Sequence, residues 1–297
     1  MTEHARPPLC AAHDPSPRKP AVSVPRGSCD THAHVFGPGD HYPFIPHGLY
    51  TPADALPSDY THMLDALGME RGVLVQPSVY GTDNQAMLDA MASQPRLRGI
   101  AVVQYDVGVA EIERLHGLGV RGVRCNIVDL KFGKGALPLD QLKPLATRIK
   151  PYGWHVEFLM HVNEFADLDR QLAGFPVDVV FGHLGYVPTS QGTETAGFKG
   201  LLRLMQDGKA WVKLTAPYRL TLSEMPYPDV DAAARILVDK AADRLLWGSD
   251  WPHTFIKTRM PNDGDLFDLF TRWVPDEKMR ARILVTNPQN LYDFPAT

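Results

Sequence analysis

SCDTHAHVF, residues 28–36, is the stretch on which the fold assignment depends. It combines an apolar run of strand length with two histidines, and it opens a series of similar runs along a chain of 297 residues. The others are GVLVQPS (72–78), GIAVVQY (99–105), GVRCN (122–126), HVEFLMH (155–161), VDVVFGHLG (177–185), AWVKLTA (210–216) and LLWGSDWP (245–252). Runs that are apolar along most of their length indicate strands of a parallel sheet covered on both faces.

Segments with apolar spacing near i, i+3, i+4 alternate with these runs and predict helices. They are YTHMLDALGM (60–69), DNQAMLDAMAS (83–93), VAEIERLHGLG (109–119), LDQLKPLATRIK (139–150), NEFADLDRQLAG (163–174), FKGLLRLMQDG (198–208) and VDAAARILVDKA (230–241). Two more, DGDLFDLFTRW (263–273) and DEKMRARILVTN (276–287), follow the eighth run. Eight β/α alternations predict a (β/α)₈ TIM-type barrel, which typically needs about 250 residues. An open doubly wound sheet is the alternative.

The ends of the chain differ in composition from this alternating body. Residues 1–27 are rich in Pro and polar residues and predict an N-terminal extension that is extended or flexible. Residues 28–297 would form the barrel domain. Residues 38–60, rich in Pro and aromatics, predict a long loop over the mouth of the barrel, where such folds keep their chemistry.

Composition restricts the class of partner. A net charge of −4 and the absence of a Lys/Arg run give no support for nucleic-acid or membrane-surface binding. Cys10, Cys29 and Cys125 match no disulfide or zinc framework, which favours a reduced, cytoplasmic location. No apolar run approaches the roughly 20 residues of a membrane span. Monomer and homo-oligomer both stay open.

Four chemically capable side chains fall where predicted strands end. His32 and His34 lie two residues apart on the first strand and therefore project together. His183 follows the sixth strand, and Asp250 follows the eighth, which adjoins the first strand in a closed barrel. Each alone has an ordinary structural explanation, such as a turn histidine or a helix-capping Asp. Their joint position favours one catalytic site.

The same residue types also suit a metal, because Zn²⁺ accepts imidazole and carboxylate ligands. His161, at the end of the fifth strand, is a further candidate ligand. His253, three residues after Asp250, would either contact substrate or support its loop. From the residues alone, a metal site and a metal-free site that polarises a carbonyl are both open.

In combination and order, these motifs resemble the amidohydrolase superfamily, its amidohydrolase-2 group, and most of all the 2-pyrone-4,6-dicarboxylate lactonase family. The similarity extends from about Gly27 to Tyr292. It is carried by DTHAHVFGP, LVQPSVYGTDN, RGIAVV, GVRGVRCN, GWHV, GHLG, PYRL, WGSDWPH and VTNPQNLY.

The resemblance implies hydrolysis of a cyclic ester without a bound metal. Asp250 would deprotonate the attacking water, and the three histidines would hold and polarise the lactone carbonyl. Arg124 and Arg219 would bind substrate carboxylate, for which the planar guanidinium is well shaped. The resemblance also assigns Tyr50 and Ser78 to hydrogen bonds with the substrate.

Three positions depart from the family's pattern. Val128-Asp129-Leu130-Lys131 stands where the family has a second arginine, Leu159 replaces a tyrosine, and Tyr186 replaces an arginine. With Leu159 and Tyr186 in contact with substrate, the pocket is expected to be less basic and more apolar, and the lactone to carry fewer carboxylates.

The sequence therefore predicts a lactonase that opens a small carboxylated lactone in aromatic-compound or sugar-acid catabolism. The alternative is a metal-dependent decarboxylase, or another metal-dependent amidohydrolase, that acts on a small carboxylated ring compound and uses Zn²⁺. A barrel that only binds ligands is a third hypothesis, which the presence of Asp250 beside the histidines disfavours.

Overall fold

Eight parallel strands, paired in chain order, form the centre of the computed structural model, which describes residues 7–46, 48–128 and 135–296. The strands are β1 (Cys29–Ala33), β2 (Arg71–Val75), β3 (Leu97–Ala101), β4 (Val120–Asn126), β5 (His155–Leu159), β6 (Val179–Phe181), β7 (Ala210–Leu214) and β8 (Leu245–Trp247). A parallel bridge between Ala33 and Trp251 joins the chain after β8 to β1. The predicted (β/α)₈ barrel is confirmed, and the open sheet is wrong.

Helices lie between the strands and cover the outside of the barrel. They are α1 (Pro57–Leu67), α2 (Gln85–Ala92), α3 (Val109–Gly117), α4 (Leu139–Ile149), α5 (Leu168–Gln171), α6 (Ala196–Gln206), α7 (Asp231–Ala241), α8 (Asp263–Trp273), α9 (Glu277–Ala281) and α10 (Asn287–Leu291). Within the described residues, no helix has both the length and the apolar character needed to cross a membrane.

One predicted helix is much shorter than expected. The segment 163–174 contains a 3₁₀ turn and only the four-residue α5. Its apolar residues Phe165, Leu168 and Leu172 are nevertheless buried. Gly197 of α6 approaches this segment so closely that a Cβ there would lie 1.8 Å from the carbonyl oxygen of Val162. The apolar spacing therefore reports burial against α6 and not a continuous helix.

The amino-terminal end of the barrel interior is filled by a compact apolar cluster. Side chains from six strands meet the chain's carboxyl-terminal aromatics there. The cluster consists of Cys29, Val73, Val75, Ile100, Val180, Trp211, Leu246, Tyr292 and Phe294. The candidate functional side chains lie away from this cluster, at the carboxyl-terminal ends of the strands.

The N-terminal segment 7–27 crosses the outside of the barrel without forming a helix. Arg18 donates to the carboxylates of Asp265 (2.7 Å) and Asp268 on α8. A parallel bridge joins Leu9 to Thr51, and the N–H of Phe255 donates to the Cys10 thiol (3.3 Å). The extension is therefore tied to two loops at the mouth of the barrel.

Candidate active site

The carboxyl ends of three strands bring His32, His34, His183 and Asp250 together. His32 Nε2 lies 3.5 Å and His34 Nε2 3.8 Å from Asp250 Oδ1. The ring centroid of His32 is 5.1 Å from that of His34 and 5.2 Å from that of His183. All four side chains are buried. The predicted cluster is thus present, at the innermost end of the barrel mouth.

Local backbone geometry directs Asp250 toward the histidines. Asp250 has φ +66°, a left-handed conformation that non-glycine residues adopt rarely, and its N–H donates to the carbonyl of His32 (2.8 Å). Gly248, just before it, lies so close to β1 that a Cβ there would be 2.7 Å from the Cβ of His32. Close approach of the chain after β8 to β1 therefore sets the distance between Asp250 and the His32 imidazole.

The second oxygen of Asp250 is fully engaged by the loop after β7. Oδ2 accepts hydrogen bonds from the Tyr218 hydroxyl (2.7 Å) and from Arg219 Nε (2.8 Å), and Arg219 Nη2 lies 2.7 Å from it. Burial alone would raise the pKa of Asp250, but the charge of Arg219 holds it well below the usual range. Asp250 is therefore ionised, with Oδ1 aimed at the histidines.

The three imidazoles are neutral near pH 7. Burial, with Arg124 nearby, lowers the pKa of His34 to about 4, and burial lowers the pKa of His183 to about 3. Burial, followed by the charge of Lys213, lowers the pKa of His32 well below its usual value. His34 Nδ1 lies 2.6 Å from the carbonyl of Val75, which can only accept, so Nδ1 carries the proton and Nε2 presents a lone pair.

A buried ion pair behind His32 was not predicted. Lys213 on β7 and Glu157 on β5 are 0% and 2% exposed, and their charged atoms lie 2.6 Å apart. Glu157 Oε1 is 3.1 Å and Lys213 Nζ is 3.2 Å from His32 Nδ1. Lys213 also donates to the carbonyl of Thr31 (2.7 Å). The signal available in the sequence was a lone lysine inside the apolar run AWVKLTA and a lone glutamate inside HVEFLMH.

Tyr218 is a second residue that sequence reasoning missed. It is buried, and its hydroxyl contacts both Asp250 and His253 Nδ1 (2.9 Å). His253 is itself 0% exposed, with Nε2 3.2 Å from Asp263. Of the two roles predicted for His253, substrate contact and loop support, this placement favours loop support. The side chain lies behind Asp250 and supports its loop, because Tyr218 and Asp263 enclose it.

A cavity of about 260 Å³ opens directly above the cluster. It contains most of the residues expected to bind substrate. Its lining includes His34, Leu49, Tyr50, Ser78, Arg124, Asn126, Val128, Leu159, His183, Tyr186, Arg219, Asp250, Thr254 and Phe255. The Tyr50 hydroxyl is hydrogen-bonded to Ser78 and Thr254, so these two predicted contacts form one unit. The predicted positions Leu130 and Lys131 lie outside the described residues.

The two arginines of the cavity are held differently. Arg124 on β4 donates through Nη1 to the carbonyl of Gln76 (2.9 Å), and no carboxylate pairs with it in the part of the chain that the structure describes. Arg219 pairs with Asp250 and also donates to the carbonyl of Thr254 (3.0 Å). A substrate carboxylate would meet at Arg124 a guanidinium that no carboxylate of the described residues neutralises, but would compete with Asp250 at Arg219.

The predicted metal ligands are only partly brought together. Among the described residues, ligand atoms of His32, His183 and Asp250 lie within 4.8 Å of one another, and His32 Nε2, His183 Nδ1 and Asp250 Oδ1 are buried without a hydrogen-bond partner. Such a donor set suits Zn²⁺. His161 is not part of this group. Its Nδ1 donates to the carbonyl of Tyr186 (2.7 Å), and its ring stacks on that of Tyr186 at 4.3 Å.

An ionised carboxylate and three neutral imidazoles at the carboxyl ends of barrel strands define an enzyme site of the amidohydrolase type. The chain belongs to the amidohydrolase family, whose model, described as Amidohydrolase, matches residues 29–294. This confirms the resemblance seen in the motifs.

Curated relatives and solved structures give a narrower group. The chain is 37% identical over 287 residues to 2-pyrone-4,6-dicarboxylate hydrolase of Comamonas testosteroni, covering 93% of each chain. It is 38% identical over 275 residues to 4-sulfomuconolactone hydrolase of Rhizobium radiobacter, covering 92% of each. A crystal structure from Acinetobacter baumannii, described as a probable 2-pyrone-4,6-dicarboxylic acid hydrolase with citric acid bound, matches with TM-score 0.80 and 33% identity over 90% of this chain and 100% of that one.

Proposed function

We propose that this enzyme hydrolyses the ring ester of a small carboxylated lactone, in the catabolism of aromatic compounds or sugar acids. The observation that carries the proposal is the free Oδ1 of buried Asp250 facing three neutral histidines beneath a cavity that contains Arg124. The named relatives support it, because both are hydrolases of anionic lactones.

The reaction uses these groups in sequence. The substrate carboxylate pairs with Arg124, and the lactone carbonyl lies among the imidazoles, where the N–H groups of His32 and His183 stabilise the developing oxyanion. Water attacks the carbonyl carbon, and its proton passes to Asp250 Oδ1. The ring C–O bond then breaks, and the leaving oxygen takes up the proton held by Asp250. The products are a hydroxyl group and a carboxylic acid, which becomes a carboxylate by releasing its proton to solvent.

A carboxylate with a depressed pKa is a weak base in isolation, and Arg219 is the cause of the depression. Two features offset this weakness. The attacking water becomes strongly acidic as its oxygen bonds to the carbonyl carbon. Because its proton is transferred only late in this attack, a carboxylate as weakly basic as Asp250 can accept it. A substrate carboxylate that draws Arg219 toward itself also weakens the Arg219–Asp250 pair and raises the pKa of Asp250.

We further propose that the reaction proceeds without a metal. The buried carboxylates of Asp250 and Glu157 are each paired with a cation, Arg219 and Lys213, so the charge of each is already offset within the protein. A divalent ion would therefore meet at Asp250 a carboxylate whose charge Arg219 already offsets. If Lys213 donates to His32 Nδ1, the proton of neutral His32 stays on Nε2, which then faces Asp250 as a donor.

The competing hypothesis is a metal-dependent decarboxylase or another metal-dependent amidohydrolase. It is favoured by the unpartnered atoms of His32, His183 and Asp250, which would hold Zn²⁺ and supply Lewis-acid polarisation of the substrate. Two measurements separate the metal-free hydrolase from the metal-dependent enzyme. The metal content of protein purified without added metal is determined by elemental analysis, and turnover and CO₂ release are measured before and after chelation. Stoichiometric zinc with chelator-sensitive activity would reject the metal-free mechanism.

To test the proposed hydrolase activity, the protein is incubated with a panel of carboxylated lactones, pyrones and muconolactones. Ring opening and release of acid are measured for each compound. Asp250→Asn should lower kcat by about 10²–10⁴-fold while lactone binding by calorimetry persists. Asp239→Asn, on the exposed face of α7, is the matched control and should leave both unchanged. Wild-type turnover in Asp250→Asn would reject Asp250 as the base.

A further inference from the structure

The turn that carries His183 has an uncommon backbone. Four consecutive residues have a positive φ, in the left-handed region: His183 (+52°), Leu184 (+52°), Gly185 (+78°) and Tyr186 (+56°). Only glycine enters this region without steric cost, because the Cβ of any other residue crowds a carbonyl oxygen. Three of the four residues have a Cβ. The turn therefore needs contacts with the rest of the protein to keep its shape.

The middle and the end of this turn are held by different contacts. In the middle, a Cβ on Gly185 would lie 2.8 Å from the Leu201 side chain of α6 and 3.1 Å from that of Val162, so the packing there is close. At the end, the N–H of Tyr186 donates to the carbonyl of His183 (2.7 Å). A group that fixes Tyr186 therefore also fixes the backbone of His183.

His161, just after β5, holds Tyr186 in two ways. Its Nδ1 lies 2.7 Å from the carbonyl oxygen of Tyr186, which can only accept, so Nδ1 is the donor. Its imidazole also stacks on the phenol ring, with the ring centroids 4.3 Å apart and the planes inclined by 29°. His161 thus contacts both the backbone and the side chain of the residue that ends the turn.

Tyr186 carries this contact to the candidate active site. It lines the catalytic cavity together with His183, and it also lines an adjoining cavity of about 630 Å³. Its ring lies edge-on to the His183 imidazole, with centroids 5.3 Å apart and planes inclined by 75°. A shift of Tyr186 would therefore move the surface against which the His183 ring packs.

The His183 imidazole is oriented differently from those of its two neighbours. Nδ1 of His34 donates to the carbonyl of Val75 (2.6 Å), and Nδ1 of His32 lies 3.1 Å from Glu157. Nδ1 of His183 is buried and has no hydrogen-bond partner within the part of the chain that the structure describes. The orientation of this ring therefore depends on the turn that carries it and on the ring of Tyr186.

Resting on the proposed lactone hydrolysis, we propose that His161 is a positioning residue that fixes His183 for the reaction. Its hydrogen bond holds the end of the left-handed turn, and its ring holds Tyr186 against the His183 imidazole. His183 is then already aimed at the lactone carbonyl before oxyanion charge develops there, which is the condition for stabilising that charge. In this role His161 acts through Tyr186 and not as a metal ligand.

Two substitutions separate the hydrogen bond from the ring stack. His161→Phe keeps a ring and loses the donor, whereas His161→Asn keeps an amide N–H near the position of Nδ1 and loses the ring. Because a small misplacement of a catalytic group is costly, His161→Phe should lower kcat by about 10–100-fold. KM should change by less than about twofold, because Arg124 on β4 still binds the substrate carboxylate. His161→Asn should recover most of the lost kcat. His62→Phe, at an exposed histidine of α1, is the matched control and should change neither constant.

A second readout does not depend on turnover. The nuclear Overhauser effect between the ring protons of Tyr186 and His183 reports their edge-on contact. It should persist in wild type and His161→Asn and weaken in His161→Phe, while circular dichroism shows that the barrel is intact. If His161→Phe does not fold, His161→Gln takes its place with the same expectations, because the longer side chain carries its amide away from the position of Nδ1.

The outcomes separate this inference from the function on which it rests. If lactones are opened and His161→Phe keeps the wild-type kcat, or His161→Asn loses as much as His161→Phe, the positioning role is wrong and lactone hydrolysis stands. If wild type opens no lactone, the proposed function fails. The Overhauser effect then decides the structural part alone, and an unchanged effect in His161→Phe would overturn it.

Discussion

Replacing Lys213 by methionine removes the charge that holds Glu157 and His32 in place. The side chain is 0% exposed, and its ammonium contacts Glu157 Oε2 (2.6 Å), the carbonyl of Thr31 (2.7 Å) and His32 Nδ1 (3.2 Å). Methionine keeps most of the volume but none of the donors. Glu157, 2% exposed, is then left with His32 alone.

The expected cost follows from that unpaired carboxylate. Removing one partner of a buried ion pair typically destabilises a protein by about 3–5 kcal/mol. At about 2–4 °C per kcal/mol for larger domains, Tm should fall by roughly 10 °C. Glu157 must also take up a proton or draw one onto His32, so His32 no longer presents the same Nε2 to Asp250. Turnover should therefore fall by at least about tenfold, or about 1.4 kcal/mol.

The assay pairs thermal unfolding, followed by circular dichroism, with steady-state hydrolysis of the best lactone. Lys209→Met, an exposed lysine just before β7, is the matched control and should change neither. Adding Glu157→Gln to Lys213→Met should recover most of the lost stability, because the buried charge is gone. If Lys213→Met melts within about 2 °C of wild type and turns over normally, the coupling of this pair to His32 is refuted.

Two further predictions concern pH and close packing. His155, at the start of β5, has its pKa lowered by burial to about 3, so the unfolded chain binds more protons below pH 6.5 and stability falls as pH drops. Between pH 7 and pH 5, the free energy of unfolding measured with denaturant should fall by about 2 kcal/mol less in His155→Gln than in wild type. An equal fall in both proteins would contradict the assignment. Gly248→Ala places a Cβ 2.7 Å from that of His32 and should reduce kcat, while circular dichroism shows that the barrel is intact. Gly117→Ala, at a glycine with open space around it, is the control and should leave kcat unchanged. An unchanged kcat in Gly248→Ala would contradict the steric argument.

The barrel could be predicted from the sequence because its signals are local. Each strand is a short apolar run, and parallel strands buried on both faces require that composition wherever they occur. The segment 163–174 shows the limit of such signals. Its apolar spacing fits a helix, but packing against Gly197 of α6 leaves only Leu168–Gln171 helical.

The cluster of candidate catalytic residues was also predictable, for a topological reason. Residues at the carboxyl ends of barrel strands converge on one mouth, so His32, His183 and Asp250 had to meet once the strand order was known. Their separate environments were not predictable. The pairing of Arg219 with Asp250 and the enclosure of His253 depend on the loop after β7, whose path no local pattern encodes.

The sequence by itself determined the eight strands, the positions of the histidines and Asp250 at strand ends, and the family. Tertiary structure alone decided that Lys213 and Glu157, far apart in the chain, form a buried pair behind His32. It also decided that the mouth divides into two adjoining cavities. The physical reason is that strand formation depends on neighbouring residues, whereas ion pairing and cavity shape depend on side chains that only the closed barrel brings within a few ångströms.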